Sequence, residues 1–108
     1  MQIQIQSIHW EADEALRKAV TEKLSRLEKF YDRIEKCNVI LKKEKNARQK
    51  SYVAEVRLAV PKQDLFASER AESFEGALEL IMADLKKQLI RHKDKLKEPR
   101  RLREKLTQ

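Results

Sequence analysis

The residues best suited to chemistry in this sequence are the lysines and arginines near its C-terminal end. Between Asp84 and Lys105 there are ten basic and four acidic residues, a local net charge of +6 out of +7 for the whole chain. Such an excess of one sign causes self-repulsion unless a partner of opposite charge offsets it. We therefore predict that this segment binds a polyanion, because lysine acts on phosphates as a point charge with little base selectivity. The competing interpretation is a solvated helix face that keeps the protein soluble.

Other chemistry finds little support. The sequence has one glycine, which excludes most nucleotide-binding loops, and it has no Ser or Cys nucleophile motif. His9 and His92 have no other ligands at metal-binding spacing, and His92 is interpreted as a packing residue or a phosphate contact. Cys37 is interpreted as a small buried hydrophobic residue. We predict no catalytic residues, no metal, no cofactor and no small-molecule substrate.

The basic segment is predicted to lie on a long helix that begins at Phe74, with Ser73 as its N-cap. Apolar residues and one histidine recur at three- and four-residue steps and form the inward face of this helix: Phe74, Leu78, Ile81, Leu85, Leu89, His92 and Leu96. Pro99 disfavours helix at the residue before it. The helix is therefore predicted to stop or kink near Glu98, which leaves residues 99–108 as a basic tail.

The remaining elements follow from hydrophobic periodicity. Alternating side chains predict strands over residues 1–6, 34–44, 51–60 and 65–71, with Pro61 ending the third and a turn at residues 62–64. Residues 45–50 are a polar connection of hairpin type. Asp13 is the predicted N-cap of a first helix through about Tyr31, whose inward stripe is Leu16, Val20, Leu24, Leu27 and Tyr31.

The order β-α-β-β-β-α predicts an α+β fold with two layers. Strands one and two, joined through a helix, should pair in parallel, and the later strands should pair as antiparallel hairpins. The result is a four-stranded mixed sheet with two helices on one face, which would enclose a positively charged groove. We predict one domain over residues 1–98 followed by the tail. The single cysteine and the lack of a long apolar run predict a cytoplasmic protein that does not enter a membrane.

Several short segments are distinctive in combination with this order of elements. They are ALR at 15–17, KLSRLE at 23–28, DRI at 32–34, AS at 67–68 and QLIRHKDKLK at 88–97, the last being the most specific. With these segments, the sequence resembles, over nearly its whole length, the ribosome hibernation-promoting factor family, which includes the ribosome-associated translation inhibitors. The resemblance is to the short form of this family.

The resemblance implies a domain similar in shape to a double-stranded-RNA-binding domain. It implies binding to the small ribosomal subunit and its rRNA, in the channel of messenger and transfer RNA, and inhibition of translation under stress or in stationary phase. Matched position by position, the RNA-binding residues would include Lys23, Arg26, Lys87, Arg91, Lys93, Lys95 and Lys97. Charge placement alone adds Lys29 and Lys86.

Two other functions fit the charge pattern. A general double-stranded RNA or DNA binder would bind free duplex as tightly as ribosomes. A protein-interaction domain would dock its basic helix on an acidic partner. As a ribosome hibernation factor, by contrast, the protein would be a steric inhibitor whose basic helices bind rRNA phosphates, and it would not be an enzyme.

Overall fold

The fold is seen in a computed structural model that describes residues 1–44 and 51–107, with side chains for residues 1–44 and 51–95. The predicted connection at 45–50 and the side chain of Lys97 lie outside the described residues. The elements are β1 (Gln2–Ile8), α1 (Glu14–Ser25), a 3-10 turn (Arg26–Lys29), β2 (Lys36–Lys43), β3 (Tyr52–Val60), β4 (Gln63–Ala71) and α2 (Phe74–Thr107). This order is the predicted one.

The strands form one mixed sheet in the order β1-β2-β3-β4. β1 and β2 pair in parallel, and the other two pairs are antiparallel, as predicted. The register aligns Ile5, Val39, Val56 and Ala67 across the four strands. Because side chains alternate between faces along a strand, this row and its neighbours make one face of the sheet apolar.

Both helices cover this apolar face. Val20, Leu24 and Leu27 from the first helical segment join the strand residues in one core, together with the inward stripe of α2 from Phe74 to Leu89. The prediction of a two-layer α+β fold is therefore confirmed. Each fully buried leucine of this core contributes about 2–5 kcal/mol relative to alanine.

The first helix is shorter than predicted. Asp13 is its N-cap, because the carboxylate accepts a hydrogen bond from the amide of Leu16 at 2.8 Å. The α-helical hydrogen bonds end at Ser25, however, and the chain continues as the 3-10 turn. The hydroxyls of Thr21 and Ser25 donate to carbonyls four residues earlier, at 2.9 and 2.7 Å. Such bonds compete with the backbone ladder and weaken the helix locally.

The turn between β3 and β4 also differs from the prediction. It comprises Pro61 and Lys62, so β4 begins at Gln63, before the predicted start at Leu65. Proline fixes its own φ near −65°, and Lys62 completes the reversal with a φ of 74°. The prediction placed the turn at residues 62–64 because it did not anticipate a lysine in the left-handed region.

The predicted stop of α2 near Glu98 is wrong, while the alternative of a kink there stays a prediction. Ser73 caps the helix as predicted, since its hydroxyl accepts from the amide of Gly76 at 3.0 Å. The helix then runs through Pro99 to Thr107. A proline removes one backbone hydrogen bond, but the residues after it are mostly arginine, leucine, lysine and glutamate, which are strong helix formers. The division into a domain over 1–98 and a tail over 99–108 stays a prediction.

Within the described residues, no helix combines the length and the apolar composition needed to cross a membrane.

Candidate nucleic-acid interface

The basic residues of α2 with described side chains are all exposed. Leu85, Leu89 and His92 are buried against the sheet, so the positions between them turn to solvent. Among the described side chains, no carboxylate lies within ion-pair distance of these cations. We call the set the α2 patch; its members are Lys86, Lys87, Arg91, Lys93 and Lys95.

The α2 patch wraps around the exposed side of the helix. On one flank, the Lys86 ammonium lies 5.0 Å from the ring centroid of Phe30, next to the 3-10 turn. Lys93 is two turns further along this flank. On the opposite flank, Arg91 and Lys95 border a shallow depression at the start of β4. Lys87 points between the two flanks. The surface is therefore a broad convex patch and not a single stripe.

The first helical segment contributes Arg26 and Lys29, which are exposed at the 3-10 turn. Lys23 is different. It is partly buried, and its ammonium pairs with the carboxylate of Glu79 on α2. The hydrogen bond from Lys23, and then its charge, hold the pKa of Glu79 below its ordinary value. Glu79 is thus ionised at neutral pH, and Lys23 has a partner within the protein.

This pairing corrects the prediction of a positively charged groove between the helices. Near the start of α2, the groove is lined by Leu16, Lys23 and Arg26 on one side and by Glu75 and Leu78 on the other. Acidic side chains lie in the first turns of α2, where they also suit the helix dipole. The groove is therefore of mixed charge at this end, and the net positive surface begins at Arg26, Lys29 and Lys86.

Two residues that sequence reasoning missed hold α2 in place. The Gln88 amide donates to the backbone carbonyl of Phe66 at 2.8 Å and to the Asp84 carboxylate at 3.0 Å. The Gln63 amide bonds to Nδ1 of His92 at 2.8 Å. The four-residue spacing of Asp84 and Gln88 was a visible signal for the bond between these two side chains. Nothing local signals the second, because the partners are 29 residues apart.

His92 is only 4% exposed and lies edge-on to Tyr31, with ring centroids 5.4 Å apart. The packing interpretation of this residue is confirmed. Burial, and then the charge of Lys95, lower the pKa of His92. The neutral form of the ring is therefore favoured at neutral pH. Cys37 is fully buried as well, and burial raises the pKa of its thiol to about 12.

Within the part of the chain that the structure describes, no group of three or more His, Cys, Asp or Glu residues is placed to hold a metal ion.

Residues 3–97 match the family model described as Sigma 54 modulation protein / S30EA ribosomal protein. The ribosome hibernation promoting factors of Salmonella typhimurium and Escherichia coli K12 are each 36% identical over 98 residues, which cover 91% of this chain and 99% of theirs. The factor of Azotobacter vinelandii is 38% identical over 95 residues, which cover 88% of this chain and 85% of its own.

Solved structures share the fold, among them the following two. The Protein Y N-terminal domain of Thermus thermophilus has a TM-score of 0.72 at 24% identity and covers 85% of this chain and 99% of its own. A ribosomal subunit interface protein from Coxiella burnetii has a TM-score of 0.76 at 22% identity, over 87% of this chain and 99% of its own. The resemblance in the sequence is thus confirmed, and the chain belongs to the Sigma 54 modulation protein / S30EA ribosomal protein family.

Proposed function

We propose that this protein is a ribosome hibernation factor, which binds the ribosome and keeps it from translating. The relatives that cover most of the chain carry the name ribosome hibernation promoting factor. The observation that carries the proposal is the α2 patch, whose five exposed cations have no carboxylate partner among the described side chains. A surface of this kind suits the phosphates of folded RNA.

In finer detail, the partner is the small ribosomal subunit and its rRNA. The α2 patch, with Arg26 and Lys29 beside it, binds rRNA phosphates, and the folded body occupies space that messenger and transfer RNA need. The protein performs no covalent step, so it is an inhibitor by exclusion and not an enzyme. Acting on ribosomes places it in the cytoplasm.

Counterion release predicts how strongly salt affects this binding. The five cations of the α2 patch alone are expected to make the logarithm of the affinity fall with the logarithm of salt concentration at a slope of about −4.5, and contacts by Arg26 and Lys29 would steepen it. Raising salt from about 50 to about 200 mM then weakens binding by roughly 500-fold or more.

The proposal is tested by removing charge from the α2 patch. Changing Lys87 and Arg91 to glutamine is expected to reduce the salt slope by about two, and adding Lys93→Gln and Lys95→Gln by about two more. Glutamine is a good helix former, so the helix should persist. The measurement is co-sedimentation with ribosomes in sucrose gradients over a range of salt concentrations, with circular dichroism to verify folding.

The chain offers a matched control. Lys18 on α1 and Lys43 at the end of β2 are also exposed but lie away from the α2 patch. Changing both to glutamine removes as many charges as the double variant at Lys87 and Arg91. The ribosome affinity of this control is expected to stay within about twofold of the wild-type value. If the variant with all four α2 residues changed to glutamine still binds ribosomes with the original salt slope, the assigned surface is wrong.

The same gradients test the two other functions. A general duplex binder would bind free double-stranded RNA as tightly as ribosomes. A domain that docks on an acidic protein would keep its co-sedimenting partner after nuclease treatment.

A further inference from the structure

The sheet has a second face, which no described element covers. The register places three polar side chains and one aromatic ring in a row across all four strands: Gln4, Asn38, Arg57 and Phe66. The next row is Gln6, Ile40, Glu55 and Ser68. We call these two rows, with the flanking side chains of the same face, the outer sheet face. Both helices lie on the opposite side, over the apolar core.

The outer sheet face contains a shallow depression of about 490 Å³, lined by side chains of both rows. Phe66 is 44% exposed and stands at one side of it. The Arg57 guanidinium carbon lies 5.3 Å from the centroid of the Phe66 ring. An exposed aromatic ring next to a planar guanidinium offers two stacking surfaces for another flat group.

The polar side chains beside this pair are amides. Asn38 and Gln4 each carry donors and an acceptor, which match the hydrogen-bonding edges of nucleobases. An apolar protein partner would fit less well, because Phe66 is the large hydrophobic side chain exposed on this face and Ile40 is half-buried. The chemistry of the depression is therefore that of a base-binding site.

The charge of the face also suits a nucleic acid. It carries Lys36, Lys42, Arg57 and Arg70 against Glu55 and Asp64, and Glu44 at the rim pairs with Arg70 at 2.9 Å. The face therefore stays weakly positive. The Arg57–Asp64 pair spans 3.8 Å between half-exposed side chains, so little holds Arg57 back from a ligand.

From this arrangement, we propose that the outer sheet face binds a short stretch of single-stranded RNA. One base stacks on Phe66 next to Arg57, and Asn38 and Gln4 hydrogen-bond to base edges. Three interstrand spacings of about 4.8 Å give the row a width of about 14 Å, which is room for a few nucleotides. The inference rests on the proposed function, since it makes RNA the partner of both faces: phosphates at the α2 patch and unpaired bases at the sheet.

Nuclear magnetic resonance tests the site directly. The probes are single-stranded hexauridylate and hexaadenylate, titrated into the full chain labelled with nitrogen-15. The side-chain amide signals of Asn38 and Gln4 are expected to shift with at least one of them. A double-stranded RNA of the same length should leave those signals in place, because its bases are already paired. Unmoved amide signals with both single strands would overturn the proposal.

A substitution supplies the energetic test. Phe66→Val keeps a strand-forming side chain and removes the ring. It is expected to weaken single-strand binding by about 5- to 150-fold, the range for loss of one stacked base. The control is Leu80→Ala, which removes a hydrophobic side chain that is 48% exposed on α2. It should change single-strand affinity by less than twofold.

Ribosome sedimentation of the same variants separates this inference from the proposed function. Suppose that Phe66→Val binds single-stranded RNA like the wild type and that only the α2 variant loses its affinity for ribosomes. The proposal for the outer sheet face then fails, and the proposal of a hibernation factor stands. If Phe66→Val no longer binds ribosomes but keeps its affinity for single-stranded RNA, the outer sheet face binds a protein and its assignment to RNA is wrong. If the α2 variant keeps its ribosome affinity and salt slope, the proposed function fails instead.

Discussion

Lys23 and Lys87 show how one residue type takes two roles in this protein. Lys87 is exposed, and no described carboxylate pairs with it, so its charge is available to a phosphate. Lys23 is partly buried and pairs with Glu79, 56 residues further along the chain. It therefore helps to join the two helices, and among the predicted RNA-binding residues with described side chains, it alone pairs with a carboxylate. Both positions matched the family pattern, which does not distinguish the roles.

His92 is a titratable residue whose charged form is disfavoured by the fold. It interrupts the run of basic residues on α2, yet its ring is buried, hydrogen-bonded to Gln63 and edge-on to Tyr31. Its neutral form is favoured because burial penalises the charged ring and Lys95 repels it. The residue thus positions the helix that carries the α2 patch, and it does not offer a charge of its own.

This environment predicts a pH dependence of stability. The pKa of His92 is lower in the folded state than in the unfolded state, so the unfolded chain takes up the proton first as pH falls. Stability is then full above about pH 6.5 and declines below it, with a slope of at most about 1.4 kcal/mol per pH unit from this group. The decline stops once pH falls below the folded pKa. Urea unfolding at pH 7.5, 6.5, 5.5 and 5.0 measures it.

The contribution of His92 is isolated by comparing two histidine variants. His92→Phe removes the titrating group and is expected to flatten the curve between pH 6.5 and pH 5. His9→Asn changes the other histidine at an exposed position, where a φ of 63° suits asparagine, and should leave the decline in place. Parallel curves for the wild type and His92→Phe would contradict the assignment.

At the scale of elements, α2 serves both the core and the interface. Leu89 is fully buried in the core, and its neighbour Ile90 is 43% exposed within the α2 patch. Leu89→Ala is expected to lower the free energy of unfolding by about 2–5 kcal/mol. Ile90→Ala should change it by less than about 1 kcal/mol. Urea unfolding of the two variants makes the comparison, and equal losses would show that the helix is seated differently.

The elements could be predicted from sequence where burial imposes a period. The alternation around Val39 and Val56 gave the strands, and the spacing from Phe74 to Leu89 gave the inward face of α2. Prediction failed where a local detail outweighed the period. The hydroxyls of Thr21 and Ser25 shortened α1, and the left-handed Lys62 moved the turn. These details depend on single rotamers and dihedral angles that composition does not reveal.

At the scale of the whole molecule, one apolar layer separates two polar surfaces. The α2 patch could be predicted because its charge excess is local in sequence and its inward stripe is periodic. The outer sheet face could not, because its row of Asn38, Arg57 and Phe66 exists only once the register is known. Contacts such as Lys86 with Phe30 likewise join residues that lie far apart in the chain.

A surface selected to bind a polyanion is expected to lower the stability of the free protein. Lys87–Arg91 and Arg91–Lys95 are like-charge pairs four residues apart, and each destabilises a helix by about 0.2–0.5 kcal/mol. The glutamine variant at Lys87, Arg91, Lys93 and Lys95 also loses opposite-charge pairs three residues apart, such as Asp84–Lys87 and Arg91–Asp94. Because relief of the overall excess of positive charge still favours the variant, it should be more stable than the wild type at low salt, by less than about 1 kcal/mol. For a domain of this size, that is a rise in Tm of less than about 8 °C.

Salt separates this effect from any change in packing. The Debye length falls from about 30 Å at 0.01 M to about 3 Å at 1 M, so the difference in Tm should largely vanish at 1 M salt. Calorimetry of the wild type and the variant at both salt concentrations measures it. A variant that melts below the wild type at low salt would show that these side chains stabilise the fold, and the case for a surface kept for its charge would be lost. A variant that is more stable but binds ribosomes more weakly would show that the same four residues favour binding and lower the stability of the free protein.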